Sequence, residues 1–241
     1  MSKIKKVLRF ICGLIPYLNV VLLKIIGEKV SLKANLGVLF LWCDKIELQD
    51  GVYIGGFNII FVRSFYCGKG VKIRGLNIFK GNFDCVFDDS VGISRFNKFT
   101  SPYSDYKSTL RLKRNARITQ KSIIDLTDDV EIGENSQLAG LGTQIWTHGY
   151  FHIENNRRFR VDGSVVIGDD CYLGSHSIVS PGTKILRGCN FASLSNITGF
   201  YEKPGLYGSS KAVYKKALEI NEFDKKLKKR TNGSEIIYKK N

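Results

Sequence analysis

The chain has little of what many sites and signals are built from. It holds three histidines and four prolines in 241 residues. Its six cysteines (Cys12, Cys43, Cys67, Cys85, Cys171 and Cys189) include no Cys-x-x-Cys pair. That argues against a disulfide framework, and they read as reduced core thiols of a cytosolic protein. No Pro/Ser-rich linker divides the chain, so one large unit is expected. No apolar run reaches the ~20 residues of a spanning helix. In the apolar stretch near the N-terminus, Arg9 and Lys24 leave fourteen residues between them, Pro16 included, and no small-residue cleavage site follows as a secretory leader requires.

Acidic residues are scarce at both ends. Residues 1–30 carry six Lys/Arg against Glu28 alone, and residues 203–241 carry eleven against four carboxylates, so the ends hold +12 of the formal +15. The segment between them is close to neutral. A basic apolar leader that neither spans nor is cleaved fits an amphipathic segment on an anionic membrane surface, or a cap packed on the end of the fold. The basic tail carries Val213, Leu218, Phe223 and Leu227 at spacings of four or five, which predicts a helix over residues 211–229. It shows no recognition motif and no aromatic-interleaved basic groove, so nucleic acid is not an expected partner.

What the chain does have is a period of six. Ile167, Leu173, Val179, Ile185, Phe191 and Ile197 recur every sixth residue, and four positions after each come Cys171, Ser177, Thr183, Cys189, Ser195 and Tyr201. Neither a 3.6-residue helix nor an alternating strand has that period. A coil of three short strands per turn does, with one aliphatic residue per strand pointing into a shared core. The rule returns in Leu126, Ile132 and Leu138, in Ile73, Phe79, Cys85 and Val91, and in Leu36, Trp42, Leu48, Ile54 and Ile60. The expected architecture is an all-β solenoid over residues 31–201, with an N-terminal segment 1–30 and a basic tail 202–241. The rule breaks near 61–72, 92–125 and 143–164, where loops are expected, since a stacked coil tolerates insertions that leave its register intact.

Two of the three histidines, His148 and His152, fall in the last of these breaks. An insertion leaving a rigid scaffold is where function tends to sit, and an imidazole can take a proton from a hydroxyl and return it to a leaving thiolate. Trp146, two residues before His148, reads either as a sugar-stacking platform or as the anchor of the loop. Residues 92–125, with Tyr103, Asp105, Tyr106, Arg111 and Arg114, are expected to shape an acceptor pocket.

Four blocks carry a resemblance: Trp146-Thr-His148-Gly, Cys171-Tyr-Leu-Gly-Ser-His176-Ser-Ile-Val-Ser-Pro-Gly182, Phe191-Ala-Ser-Leu-Ser-Asn-Ile-Thr198-Gly and Gly208-Ser-Ser-Lys-Ala212. Over residues 124–215 the chain resembles the hexapeptide-repeat acyltransferases, in particular the galactoside/maltose and polysaccharide O-acetyltransferase branches. The resemblance implies a left-handed parallel β-helix, a homotrimer with active sites between neighbouring coils, and acetyl-CoA as acyl donor without a metal. It implies His148 as general base on an acceptor hydroxyl; His152 and Trp146, in the same loop, are candidate acceptor contacts by their position beside it. Ser175, Ser193 and Thr198 would line the pantetheine arm, with Lys211 and Lys215 near the CoA phosphates. The chain departs from the family at Tyr172, where Trp is usual, at Gly199 and Ala212, where basic residues stand, and at Ser210 in place of Pro.

The implied activity is acetyl transfer to a sugar hydroxyl of a surface polysaccharide or its lipid-linked precursor, in the cytoplasm or at the inner face of the cytoplasmic membrane. N-acetylation of an amino sugar or nucleotide sugar is the nearest alternative. A zinc hydratase using His148, His152 and His176, or a non-catalytic scaffold, are further ones.

Overall fold

The computed structural model describes residues 3–102, 107–153, 157–208, 228–232 and 235–239, with side chains described over 3–102, 107–150 and 159–208. The chain divides into two units, Met1–Ser209 and Ser210–Asn241. The first is a prism of short parallel strands. One face is a nine-stranded parallel sheet running from Asn35–Leu36 to Gly205–Tyr207. The other two faces share one sheet, because the strands Leu39–Leu48 and Asn58–Cys67 round a corner without a break. In chain order, each turn visits this nine-stranded third face, then the first face (as at Gln144–Ile145), then the second (as at Val165–Ile167).

The six-residue rule is the signature of this prism. Ile167, Leu173, Val179, Ile185 and Ile197 are fully buried and Phe191 is nearly so. Successive tiers stack like on like: Leu138 pairs with Leu173, and Leu173 with Phe191. Lower in the prism the core turns aromatic. Phe79 and Phe99 stack at 4.4 Å with planes 3° apart, and Phe65 meets Phe79 and Phe87 edge-on at 5.5 Å. All six cysteines are buried and unbridged.

Small residues fill the corners for a reason beyond size. Ser177, Thr183 and Ser195 are buried and their hydroxyls bond backbone carbonyls. At the corner between third and first faces, the amide of Asn77 donates from its backbone N and its Nδ2 to Asn58 Oδ1 (2.9 and 3.1 Å), and Asn97 repeats both bonds onto Asn77 Oδ1. Ser122 N closes the ladder on Asn97 Oδ1. Each buried amide thus satisfies the turn above it, as a buried polar group must.

The breaks in the hexad differ from expectation. Residues 61–67 are not a loop but the second half of the strand Asn58–Cys67. Phase is lost because Ile54 pairs with Ile73 and Ile73 with Ile93, turns one and two residues longer than three hexads. Within 92–125 the coil continues through five strands, from Gly92–Ile93 to Ile123–Asp125, while residues 103–106 lie outside the described residues. Trp42 belongs to no core: it faces outward, 37% exposed, while Leu41 and Cys43 point in. The third break does leave the coil, as an antiparallel hairpin of His148–Ile153 with Arg157–Asp162.

Residues Lys3–Leu14 and Asn19–Ile25 form helices α1 and α2, packed on the first turn. Most of the helix expected over 211–229 lies outside the described residues. What is described of the second unit is a hairpin, Lys228–Asn232 with Glu235–Lys239.

Candidate active site

His148 opens the outer hairpin at the corner between first and second faces. The hairpin's base is closed where Gly163 N donates to the Thr147 carbonyl at 2.9 Å, so chain leaves and re-enters the coil at one point. One turn beneath lies Asp125, at the end of the strand Ile123–Asp125. Strand pairing explains the juxtaposition: Ile124 is in register with Ile145, which brings the residues following each to the same corner.

Asp125 is buried and surrounded by donors. Thr147 gives it both its backbone N–H (3.0 Å) and its hydroxyl (2.6 Å) on Oδ2, and Thr127 Oγ1 donates to Oδ1 at 3.1 Å. His148 Nδ1 lies 2.9 Å from Asp125 Oδ2 and 3.0 Å from Thr127 Oγ1. An ionised carboxylate only accepts, and the Thr127 proton is committed to it, so Nδ1 carries the hydrogen. The tautomer follows from this network, and it places the lone pair of the imidazole on Nε2. The ring is held on two sides, edge-on to Trp146 at 6.1 Å and to Tyr150 at 5.8 Å. Its side chain is 15% exposed against 4% for Asp125, so a half-sheltered base rests on a buried orienting acid.

Asp125 was not among the expected site residues. It precedes His148 by more than a full turn, and no local motif joins them. The available signal was the Asp125-Leu-Thr127-Asp-Asp run one turn before the histidine.

The other expected residues fall in separate places. Ser175 and Ser193 stand one tier apart at the corner between third and first faces, where Leu194 N donates to Ser175 O at 2.9 Å. Ser175 Oγ accepts from Leu141 N at 3.2 Å and occupies the space over Gly140, whose φ of +70° and whose closeness (a Cβ there would lie 1.6 Å from that oxygen) both require glycine. Thr198 lies on the His148 corner, two turns above it, exposed, its N–H donating to the Tyr201 hydroxyl at 3.3 Å. Trp146 is beside His148, its indole N–H on Gln144 Oε1.

His176 sits at the Ser175 corner with φ of +57°, a face away from His148, so the three histidines envisaged for a zinc hydratase do not share one corner. Among the described residues no group of three His, Cys, Asp or Glu converges. Arg111 pairs with Asp88 and Arg114 with Glu134, engaged on the second face and at its far corner rather than at the histidine. The side chain of His152, Tyr103, Asp105 and Tyr106, and Lys211 and Lys215, lie outside the described residues.

Short parallel strands stacked on three faces form a left-handed β-helix. The polysialic acid O-acetyltransferase OatWY has this fold: it aligns over 80% of this chain and 88% of its own, with a TM-score of 0.56 and 18% identity. The polySia-specific acetyltransferase NeuO aligns over 75% and 82%, at 0.36 and 17%. AntD, an N-acyltransferase from Bacillus cereus in complex with dTDP and coenzyme A, aligns over 66% and 76%, at 0.38 and 14%. No family model matches the sequence and no curated protein is significantly similar to it.

Proposed function

We propose that the protein is an acetyl-CoA-dependent O-acetyltransferase acting on a sugar hydroxyl of a surface polysaccharide or its lipid-linked precursor. The observation that carries this reading is the Asp125–His148 contact, which keeps a proton on Nδ1 and basicity on Nε2. In the reaction, Nε2 takes the proton from the acceptor hydroxyl as its oxygen attacks the thioester carbon. The tetrahedral intermediate then breaks its carbon–sulfur bond, and the imidazolium protonates the departing CoA thiolate. The products are an acetyl ester and CoA, with His148 neutral again.

Ser175 and Ser193 would line the pantetheine arm from a neighbouring copy, since they occupy a different corner from His148, and a homotrimer brings unlike corners together. Thr198 would assist on the His148 side, Lys211 and Lys215 would meet the CoA phosphates, and Trp146 and His152 the acceptor. The likeness to OatWY, which acts on polysialic acid, supports a polymeric acceptor. No helix among the described residues is long and apolar enough to cross a membrane, and the basic N-terminal helices fit peripheral contact with the inner face of the cytoplasmic membrane.

The test is CoA release from acetyl-CoA with a panel of polysaccharides, including polysialic acid, and amino-sugar nucleotides. Hydroxyl acceptors should support turnover, and a folded His148→Ala variant should lose it. Turnover confined to amine acceptors would replace the O-acetyl reading with the N-acetyl one. Full turnover by the variant would remove His148 from the mechanism.

A further inference from the structure

Helices α1 and α2 have two faces of opposite character. The inner face grips the first turn of the coil. Arg9 Nη1 donates to the Cys43 carbonyl at 3.0 Å, and Asn19 Nδ2 donates to the carbonyls of Leu36 and Gly37 at 3.1 and 2.9 Å. At Gly13 a Cβ would lie 2.5 Å from the Leu39 carbonyl oxygen, so α1 rests its backbone directly on the edge strand. The cap thereby satisfies carbonyls that would otherwise end the sheet in an open edge.

The outer face is apolar and basic. Ile4 is 70% exposed, Ile11 49%, Leu18 56% and Ile25 74%, and Tyr17, at the turn between the helices, is 95%. Lys3, Lys5, Lys24 and Lys29 are exposed around them. Glu28, the sole carboxylate of residues 1–30, is engaged by Arg9 on the inner side. A continuous apolar face of this kind marks a contact surface. A second copy is a poor occupant, because it would set these lysines against their own duplicates with no carboxylate between them. A surface of anionic lipid headgroups is complementary to both the charge and the apolar band.

We propose that this outer face lies in the headgroup layer of an anionic bilayer, so that the coil stands on the membrane by its first turn. The site is then held away from the lipid. From the strand Leu39–Leu48 to Gln144–Ile145 the first face rises five strand steps, roughly 24 Å at the ~4.8 Å spacing of neighbouring strands, above a helix layer about 10 Å thick. Between the two levels, on the His148 edge, lies a groove of about 350 Å³ lined by Lys6, Trp42, Phe61, Arg63, Asn82 and Pro102. Resting on the acetyl-transfer reading, this assigns the acceptor as a membrane-tethered glycan whose chain climbs that edge, rather than a sugar joined directly to lipid.

The chain's two tryptophans mark the two levels, Trp42 on the first turn and Trp146 beside His148, and permit a test without donor or acceptor. The full chain is mixed with vesicles of phosphatidylcholine alone, or of equal parts phosphatidylcholine and phosphatidylglycerol, each doped with a dansyl lipid. Cosedimentation is expected with the anionic vesicles and at least ~10-fold weaker with the neutral ones, as charge-assisted interfacial binding requires. In Trp146→Phe, energy transfer from Trp42 to dansyl should exceed that from Trp146 in Trp42→Phe. An Ile11→Glu, Ile25→Glu double variant, altered only at exposed positions, should keep the parent Tm and lose binding ~10-fold or more. The proposal is overturned by failure of the parent to bind anionic vesicles, by parental binding of the double variant, or by equal or reversed transfer from the two tryptophans. An assembly larger than the parent's functional oligomer that the double variant dissolves would overturn it in favour of self-association. Because no acetyl-CoA is present, these results stand apart from those for His148.

Discussion

Asp125 Oδ2 accepts a hydrogen bond from His148 Nδ1 at 2.9 Å across one turn of the coil, while Thr147, the residue before the histidine, gives the same oxygen two more. The carboxylate therefore senses the backbone position and the ring orientation of the base at once. Asp125 is a positioning residue, acting on the acceptor only through His148.

Replacing Asp125 by Ala removes the acceptor of the Nδ1 proton and frees the Thr127 hydroxyl, 3.0 Å from Nδ1, to donate to that nitrogen instead. The base is then protonated on the wrong nitrogen. We expect kcat to fall about 10²–10⁴-fold, the usual range for general-base catalysis, with KM for acetyl-CoA unchanged. Steady-state kinetics on a variant of parental secondary structure checks this, and an equal loss in KM would mark a merely structural role.

Alkaline pH should weaken the fold through its thiols. Burial pushes the Cys43 thiol up to about 12, against the opposing pull of Arg9, and burial holds Cys67 and Cys85 well above the ordinary 9.0. A folded-state value above the unfolded one means that the native chain keeps protons which the unfolded chain releases. The contribution is complete below about pH 9 and is lost as pH climbs toward the folded value. Urea midpoints should fall between about pH 8 and about pH 11, and a Cys67→Ala variant should show a smaller fall.

The asparagine ladder predicts a stability cost without a change in chemistry. Asn77→Ala removes the acceptor of two Asn97 donors and the Nδ2 donor to Asn58 Oδ1, which keeps only the backbone N–H of residue 77, so the two buried Asn97 donors are left unpaired. A loss of about 2–3 kcal/mol is expected, within the penalty for orphaned buried polar groups. Chemical denaturation measures it, and the acetyl-transfer rate of the folded variant should stay at the parental value.

Tier spacing is set by glycine at one second-to-third-face corner. A Cβ on Gly133 would lie 2.3 Å from the carbonyl carbon and oxygen of Gly168 in the turn above. Backbone cannot yield as a side-chain tip does, so Gly133→Ala should destabilise by about 1–3 kcal/mol, the range for overpacking. A thermal melt at the parental value would show that the two turns separate freely.

The upper half of the coil was legible because its turns hold three hexads without remainder, so chain spacing and spatial stacking coincide from Ile167 to Ile197. The lower half was read less well. Ile54-to-Ile73 and Ile73-to-Ile93 add residues at corners, and the slipped phase sent Trp42 to the core in sequence terms although it lies outside. His148 was legible through its place in the longest break. Asp125 was not, because its partnership is made by stacking and not by spacing. Ser175 and Ser193 could be named, but not their distance from the base, since the corner a small residue occupies depends on how many residues each turn has accumulated.

The hairpin at His148 begins and ends at a single closed gate, Gly163 N on the Thr147 carbonyl. Whatever happens to the segment beyond that gate, Val165 still finds Val130 beneath it. The part of the arm beyond Tyr150 can therefore be exchanged for another length or composition with the base, the ring beside it and its acid left standing. New acceptor preferences become accessible by grafting alone, on a chassis that need not be redesigned.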